Sequence, residues 1–185
     1  MKNPKKTKID IIYNGVLKHA AKYGISDIKT NLLAKECKIA EGSIFYYFKD
    51  MKTLVDYCAE RYDRELMDLC VKLILEGKDM SELWDILFKY VLEKPEGAVY
   101  YFNYVNYYGF DPTENNKRAE EFLKVARTLF KGKEHLNDHE VLVLWDYITT
   151  QLFYYTTKIY QGYIENTKEE LAFIKKIVFL TYDNI

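Results

Sequence analysis

The sequence predicts an all-α protein, and three observations carry that prediction. Apolar residues recur at three- and four-residue steps through most of the chain. Only 3 prolines and 8 glycines interrupt 185 residues, so long stretches are free of helix breakers. No segment shows the sustained apolar–polar alternation of a half-buried strand, and no internal repeat is present. Faces, caps and breaks together predict about nine helices.

The first helix runs from the basic stretch Lys5–Lys8 to Tyr23, with Ile9, Ile12, Val16, Leu17 and Ala20 on one face. Gly24 suits its C′ position, because a left-handed backbone costs glycine little. Ser26 or Asp27 is positioned to cap the second helix, which carries Leu32, Leu33 and Cys37. A short third helix follows Ala40, with Ile44, Phe45 and Phe48 as its anchoring residues. Asp50 is a candidate N-cap for a long helix from Met51 to about Glu76, closed by Gly77.

Ser81 with Glu82 opens the next helix, which carries Leu83, Trp84, Leu87, Phe88 and Val91. Pro95 suits the first turn of another that runs through Tyr100, Tyr101, Tyr104 and Tyr108 to Gly109. Pro112-Thr113 introduces a more polar helix that ends near Gly132. Asp138 caps a long helix reaching about Asn166. Thr167 and Glu170 form a capping box for the last one, with Leu171, Ile174, Ile177, Val178 and Leu180 on its apolar positions.

The most informative segment is Leu32–Phe48. Leu33-Ala34 is an apolar-small pair on one helix, Ile39 sits in a tight turn, and Ile44, Phe45 and Phe48 repeat on the next helix. That spacing is a helix-turn-helix, whose second helix can be presented to a DNA major groove. The order Leu33-Ala34, Ile39-Ala40, Gly42-Ser43-Ile44-Phe45, Tyr47-Phe48 and then Leu54 resembles the DNA-binding domain of the tetracycline-repressor (TetR) family. The resemblance implies a helix-turn-helix DNA-binding domain over residues 1–50 and a helical effector-binding and dimerisation domain over residues 51–185.

On the family pattern, Glu41–Tyr47 corresponds to the recognition helix. Ser43, Tyr46 and Tyr47 then take positions that touch bases or phosphates, and Gly42 lets the backbone approach the duplex. Lys29 and Thr30, near the start of the second helix, are expected to bind phosphate. The chain departs from the family at three places. Lys38 stands where a turn glycine is usual, Ala40 replaces a serine cap, and Met51 aligns with a phosphate-binding lysine. Lys52, one residue later, is the candidate phosphate contact in its place, and the resemblance leaves open whether it substitutes.

The resemblance also implies a homodimer formed by the last two helices, about Asp138–Asn166 and Thr167–Asp183. It places an effector pocket in the body, drawing on Leu69, Leu73, Trp84, Phe88, Tyr101, Tyr104, Tyr108, Trp145 and Phe153. Aromatic walls of that kind suit flat or apolar ligands. The implied function is a ligand-responsive regulator, a repressor that a small aromatic or apolar effector releases from a palindromic operator. The alternative is a helical dimer of the same fold that acts as a protein-binding coactivator without DNA.

Composition agrees with the first reading. Residues 1–64 hold 13 Lys/Arg against 8 Asp/Glu, a balance of +5, whereas residues 65–185 stand at −6. A basic N-terminal part on an acidic body suits a polyanion contacted from one end. Three cysteines without metal or disulfide spacing fit a reducing cytoplasm. No apolar run approaches the ~20 residues that span a bilayer.

Enzyme chemistry finds little footing. His135 and His139 stand four apart beside Glu134, Asp138 and Glu140, yet a helix beginning at Asp138 leaves His135 outside it. No Glu-x-x-His pair, glycine-rich phosphate loop or catalytic triad order stands out. The expectation is no enzyme, no metal and no cofactor.

Overall fold

A computed structural model describes residues 7–108 and 123–185, with the side chain of Tyr108 outside the description. No strand occurs among the described residues. Helix α1 (Lys8–Tyr23) begins at Thr7, which forms a capping box with Asp10. Gly24 follows at φ +96°, and its N–H bonds the Ala20 carbonyl at 2.8 Å.

The expected cap of the second helix is displaced. Ile25–Asp27 forms a separate 3-10 turn, and α2 (Thr30–Cys37) starts at Lys29 with no capping side chain. Ile25 and Ile28 are both buried, so the intervening turn is packed down instead of serving as a helix start. On α2 the buried pair is Leu33 and Ala34, while Leu32 is 43% exposed. Gly15 of α1 permits this packing. A Cβ there would lie 2.3 Å from Cys37 Sγ, so only glycine allows α2 so close.

Lys38 occupies the turn in a left-handed conformation (φ +54°), where glycine would be cheaper. The Ile39 N–H bonds the Ala34 carbonyl at 3.0 Å, closing the end of α2. Helix α3 (Glu41–Tyr47) follows Ala40, which supplies no side-chain cap. Asp50 then caps α4 (Met51–Leu75), accepting from the Thr53 N–H and hydroxyl at 2.7 Å each. At 25 residues, α4 is a rod about 37 Å long.

Asp79, two residues before the expected Ser81, caps α5 (Met80–Glu93) in a box with Glu82. Pro95 occupies the first turn of α6 (Pro95–Asn103), which continues as a π-helical turn over Tyr104–Tyr108. The expected start of the next helix at Pro112 lies outside the described residues. Residues 123–126 are helical and run into a 3-10 turn, Arg127–Phe130.

Asn137, not Asp138, caps α7 (Asp138–Tyr160), because its amide oxygen accepts from the Glu140 N–H while Asp138 pairs with Arg127. Helix α7 stops six residues before the expected Asn166. Gly162 at φ +77° lets the Tyr163 N–H bond back to the Lys158 carbonyl at 3.0 Å. Thr167 caps α8 (Lys168–Asn184) by accepting from the Glu170 N–H.

Two hydrophobic clusters form. One gathers α1, α2, α3, the first turns of α4 and Tyr100 of α6. The other gathers the later turns of α4 with α5, α7 and α8. Helix α4 contributes to both, and α6 lies against α1, α4, α5 and α7.

Candidate nucleic-acid interface and body core

Helix α3 is seven residues long and has room for one buried stripe. Ile44 and Phe48, one turn apart, fill it, and the Phe48 ring lies 5.2 Å from that of Tyr57 on α4. Phe45 is not an anchor, contrary to the sequence expectation. It is rotated about 100° from Ile44 and is 53% exposed. Tyr46 is the most exposed of the ring-bearing residues here at 82%, and Tyr47 meets it edge to face at 5.0 Å. Ser43 is half-buried and Gly42 exposed. Ser43, Gly42, Tyr46 and Tyr47 are therefore together on the side of α3 away from the core.

The remaining candidates surround this helix. Lys29 is exposed at the N-terminus of α2, and Thr30 is half-buried beside it. Lys52 projects from the first turn of α4 and pairs with Asp56 one turn on. Asp56 also accepts from the Tyr104 hydroxyl at 3.0 Å, so Lys52 is joined to α6 through a shared carboxylate.

Two clasps hold the N-terminal cluster of α1, α2, α3 and the start of α4, the head, in shape. His19 is 4% exposed, with Nδ1 3.0 Å from Glu36 Oε2 on α2 and Nε2 3.2 Å from the Asp27 carbonyl oxygen. Arg61 of α4 reaches Asp10 and Glu65 at 2.9 Å each and stacks 4.1 Å over the Tyr13 ring. The Thr7 hydroxyl, followed by Arg61, holds the Asp10 carboxyl below its ordinary value. Burial pushes the thiols of Cys58 and Cys37 up, and that of Cys70 up to about 12, so all three are poor nucleophiles.

In the body, Leu73, Trp84, Phe88 and Phe153 are buried, while Leu69, Tyr101, Tyr104 and Trp145 are half-buried. Four of them form two ring groups, whereas Tyr104 stacks on Tyr100 at 6.3 Å. Tyr101 and Phe153 meet at 5.2 Å beside Tyr62. Trp84 and Phe88 meet at 5.2 Å beside Phe179 of α8. The hydroxyls of Tyr101 and Tyr104 donate to Asp63 and Asp56. The side chain of Tyr108 lies outside the described residues.

Sequence reasoning missed Tyr62 and Thr156. Both are buried, and neither hydroxyl has a hydrogen-bond partner among the described residues. Their helical spacing marks them as core but carries no sign of an orphaned hydroxyl.

Two surface clefts stand apart from these groups. A 290 Å³ cleft lies along α4, lined by Tyr57, Glu60, Arg61, Arg64, Glu65 and Asp68. A 530 Å³ cleft joins α7 and α8 between Leu136, His139, Val143, Tyr147, Thr181 and Ile185. Val143 there is 56% exposed, and Phe173, Ile177 and Leu180 form a further exposed apolar row along α8. Among the described residues, no three His, Cys, Asp or Glu side chains gather as a metal site. None of the described helices is long and apolar enough to cross a membrane.

With that geometry in place, comparison identifies the fold. It is the all-α fold of TetR-family transcription regulators. A TetR-family regulator from Marinobacter aquaeolei VT8 superposes with a TM-score of 0.74, at 16% identity over 93% of both chains. The fatty acid degradation regulator FadR from Bacillus halodurans gives 0.63, at 20% identity over 95% of this chain and 94% of that one. FadR from Bacillus subtilis, solved in complex with stearoyl-CoA, gives 0.66 at 15% identity over 91% and 94%. No protein-family profile matches the sequence, and no curated protein matches it.

Proposed function

We infer that the chain is a cytoplasmic, homodimeric transcription regulator that binds a palindromic operator and responds to a small apolar or aromatic effector. The observation that carries this is α3. Ile44 and Phe48 pin it to the head, leaving Ser43, Tyr46 and Tyr47 on the outside beside the exposed backbone of Gly42. A helix presented in this way, on a basic N-terminal region within a TetR fold, is suited to the major groove. Lys29, Thr30 and Lys52 flank it as phosphate contacts. The division at residue 50 assigns the reading head to residues 1–50 and the sensor to 51–185.

The dimer uses α7 and α8, whose exposed apolar row and adjoining cleft would be covered by the same helices of a second copy. The effector binds among the body aromatics, and FadR with stearoyl-CoA is a precedent of this fold for a ligand that carries a long acyl chain. A signal has a short path to the head. Tyr100, Tyr101 and Tyr104 tie α6 to Val55, Asp63 and Asp56 of α4. A body state that shifts α6 therefore shifts the helix carrying the head. Coupling of this kind is reciprocal, so operator must weaken effector binding by the factor by which effector weakens operator binding.

Selection of duplexes from a randomised library by the full-length protein tests this. The expected result is a palindromic site bound in a salt-dependent manner, weakened at least tenfold by Ser43→Ala with Tyr47→Ala. A folded dimer that enriches no duplex would instead support the coactivator reading.

A further inference from the structure

On α3 the three consecutive rings Phe45, Tyr46 and Tyr47 are all exposed, within a helix of seven residues. Leaving a ring in water forfeits the stabilisation that burial gives, so a contiguous apolar patch on a short helix marks a contact surface. At about 100° per residue, Phe45 and Tyr47 stand on opposite flanks of the outward face, with Gly42 and Tyr46 between them. A Cβ built on Gly42 meets nothing within 4 Å, so the strip between the flanks is open.

Chemistry separates Phe45 from its neighbours. Ser43, Tyr46 and Tyr47 each carry a hydroxyl, which can bond a phosphate oxygen as readily as a base edge. Phe45 has no polar atom and gains nothing from a phosphate or from the donor–acceptor pattern of a base. The major groove offers such a side chain one matching group, the C5 methyl of thymine. The excess of +5 charges over residues 1–64 supplies the attraction that brings a polyanionic duplex to this face.

We propose that Phe45 is a specificity-determining residue that reads the methyl group of a thymine in each operator half-site. The proposal rests on the DNA-binding reading above. It makes Tyr46, Tyr47 and Ser43 the residues that hold register and Phe45 the one that distinguishes thymine from cytosine by an apolar contact.

The experiment uses the full-length protein and the tightest duplex obtained by the selection. Each thymine of one half-site is replaced in turn by deoxyuridine, which deletes the methyl group and keeps the base pair. Fluorescence anisotropy then reads Kd. At one position the substitution should raise the wild-type Kd about fourfold, the equivalent of one methyl group removed from contact. Phe45→Ala should bind the parent duplex more weakly and show no further loss with deoxyuridine there. Tyr46→Phe should keep the full deoxyuridine penalty.

Wild-type indifference to every replaced thymine, or a selected site without thymine, overturns the proposal. So does a penalty as large in Phe45→Ala as in wild type. Phe45 is 53% exposed, so its truncation removes little core packing, and wild-type indifference overturns the proposal whatever that variant does. Failure to select any duplex removes the DNA-binding reading itself, an outcome distinct from binding that ignores the methyl groups.

Discussion

The Tyr100 hydroxyl donates to the Val55 carbonyl oxygen at 2.6 Å in a contact that water does not reach. Tyr100 belongs to α6, yet its ring completes the hydrophobic cluster of the head. Tyr100→Phe keeps the ring and deletes the bond. A buried hydrogen bond contributes about 1 kcal/mol net, so urea unfolding should show a loss of that order. Unchanged stability would mean that the bond does not anchor α6.

Tyr62 and Gly97 set the converse case. A Cβ on Gly97 would lie 2.3 Å from Tyr62 Cε2, and the Tyr62 hydroxyl is buried without a partner among the described residues. Gly97→Ala should therefore destabilise by roughly 1–3 kcal/mol through overpacking. Tyr62→Phe should be neutral or stabilising by about 1 kcal/mol, since it removes an unsatisfied polar group. A large loss in Tyr62→Phe would show that the hydroxyl is partnered in solution.

His19 joins α1, the Ile25–Asp27 turn and α2 through two ring nitrogens. His19→Ala should cost roughly 2–3 kcal/mol, from the cavity and the two lost bonds together. Amide exchange is the sharper readout. Protection should fall in α2 and α3 more than in α7 and α8, whereas a uniform fall would argue against a local clasp.

Acid should loosen the head. Bonds from the Thr53 N–H and hydroxyl hold the Asp50 carboxyl below its ordinary value of 3.8, and the Thr7 hydroxyl with Arg61 does so for Asp10. A lowered carboxyl contributes stability that is fully present above the ordinary value and is lost as pH falls through the folded one. Asp50→Asn retains a capping oxygen that takes up no proton. The gap in urea midpoint between wild type and Asp50→Asn should therefore be wider at about pH 7 than at about pH 3. An equal gap at both would exclude Asp50 as a contributor.

The α8 row offers a test of assembly. Phe173, Ile177 and Leu180 recur at helical spacing and are 57%, 40% and 52% exposed. Ile177→Asp should convert the proposed dimer to a monomer in sedimentation and weaken the proposed operator binding at least tenfold. A dimer that persists in Ile177→Asp would place the interface elsewhere.

Much of the helical framework was legible because the forces that make it are local. The Asp50 cap, Pro95 at the start of α6, the break after Gly24 and the left-handed Lys38 all depend on residues within four positions of one another. The displaced caps have local causes too. Asp79 and Asn137 displaced Ser81 and Asp138 as caps because each has a Glu three residues on to complete the box. The Leu32–Phe48 motif gave the fold its direction, and its departures at Ala40 and Lys38 appear as an uncapped helix and a strained turn.

What periodicity could not assign was the direction of individual rings. Apolar residues in α3 satisfy the pattern of a buried face, but its single stripe is taken by Ile44 and Phe48, so Phe45 turns outward. The entry of Tyr100 into the head cluster and the seating of Tyr62 against Gly97 join residues 45 and 35 positions apart. Helix identity and the boundaries at Gly24, Asp50 and Pro95 follow from chain-local interactions and were open to inspection in one dimension. Which aromatic enters the core and which faces outward depends on the volume left between packed helices, and that volume exists only once the helices have met.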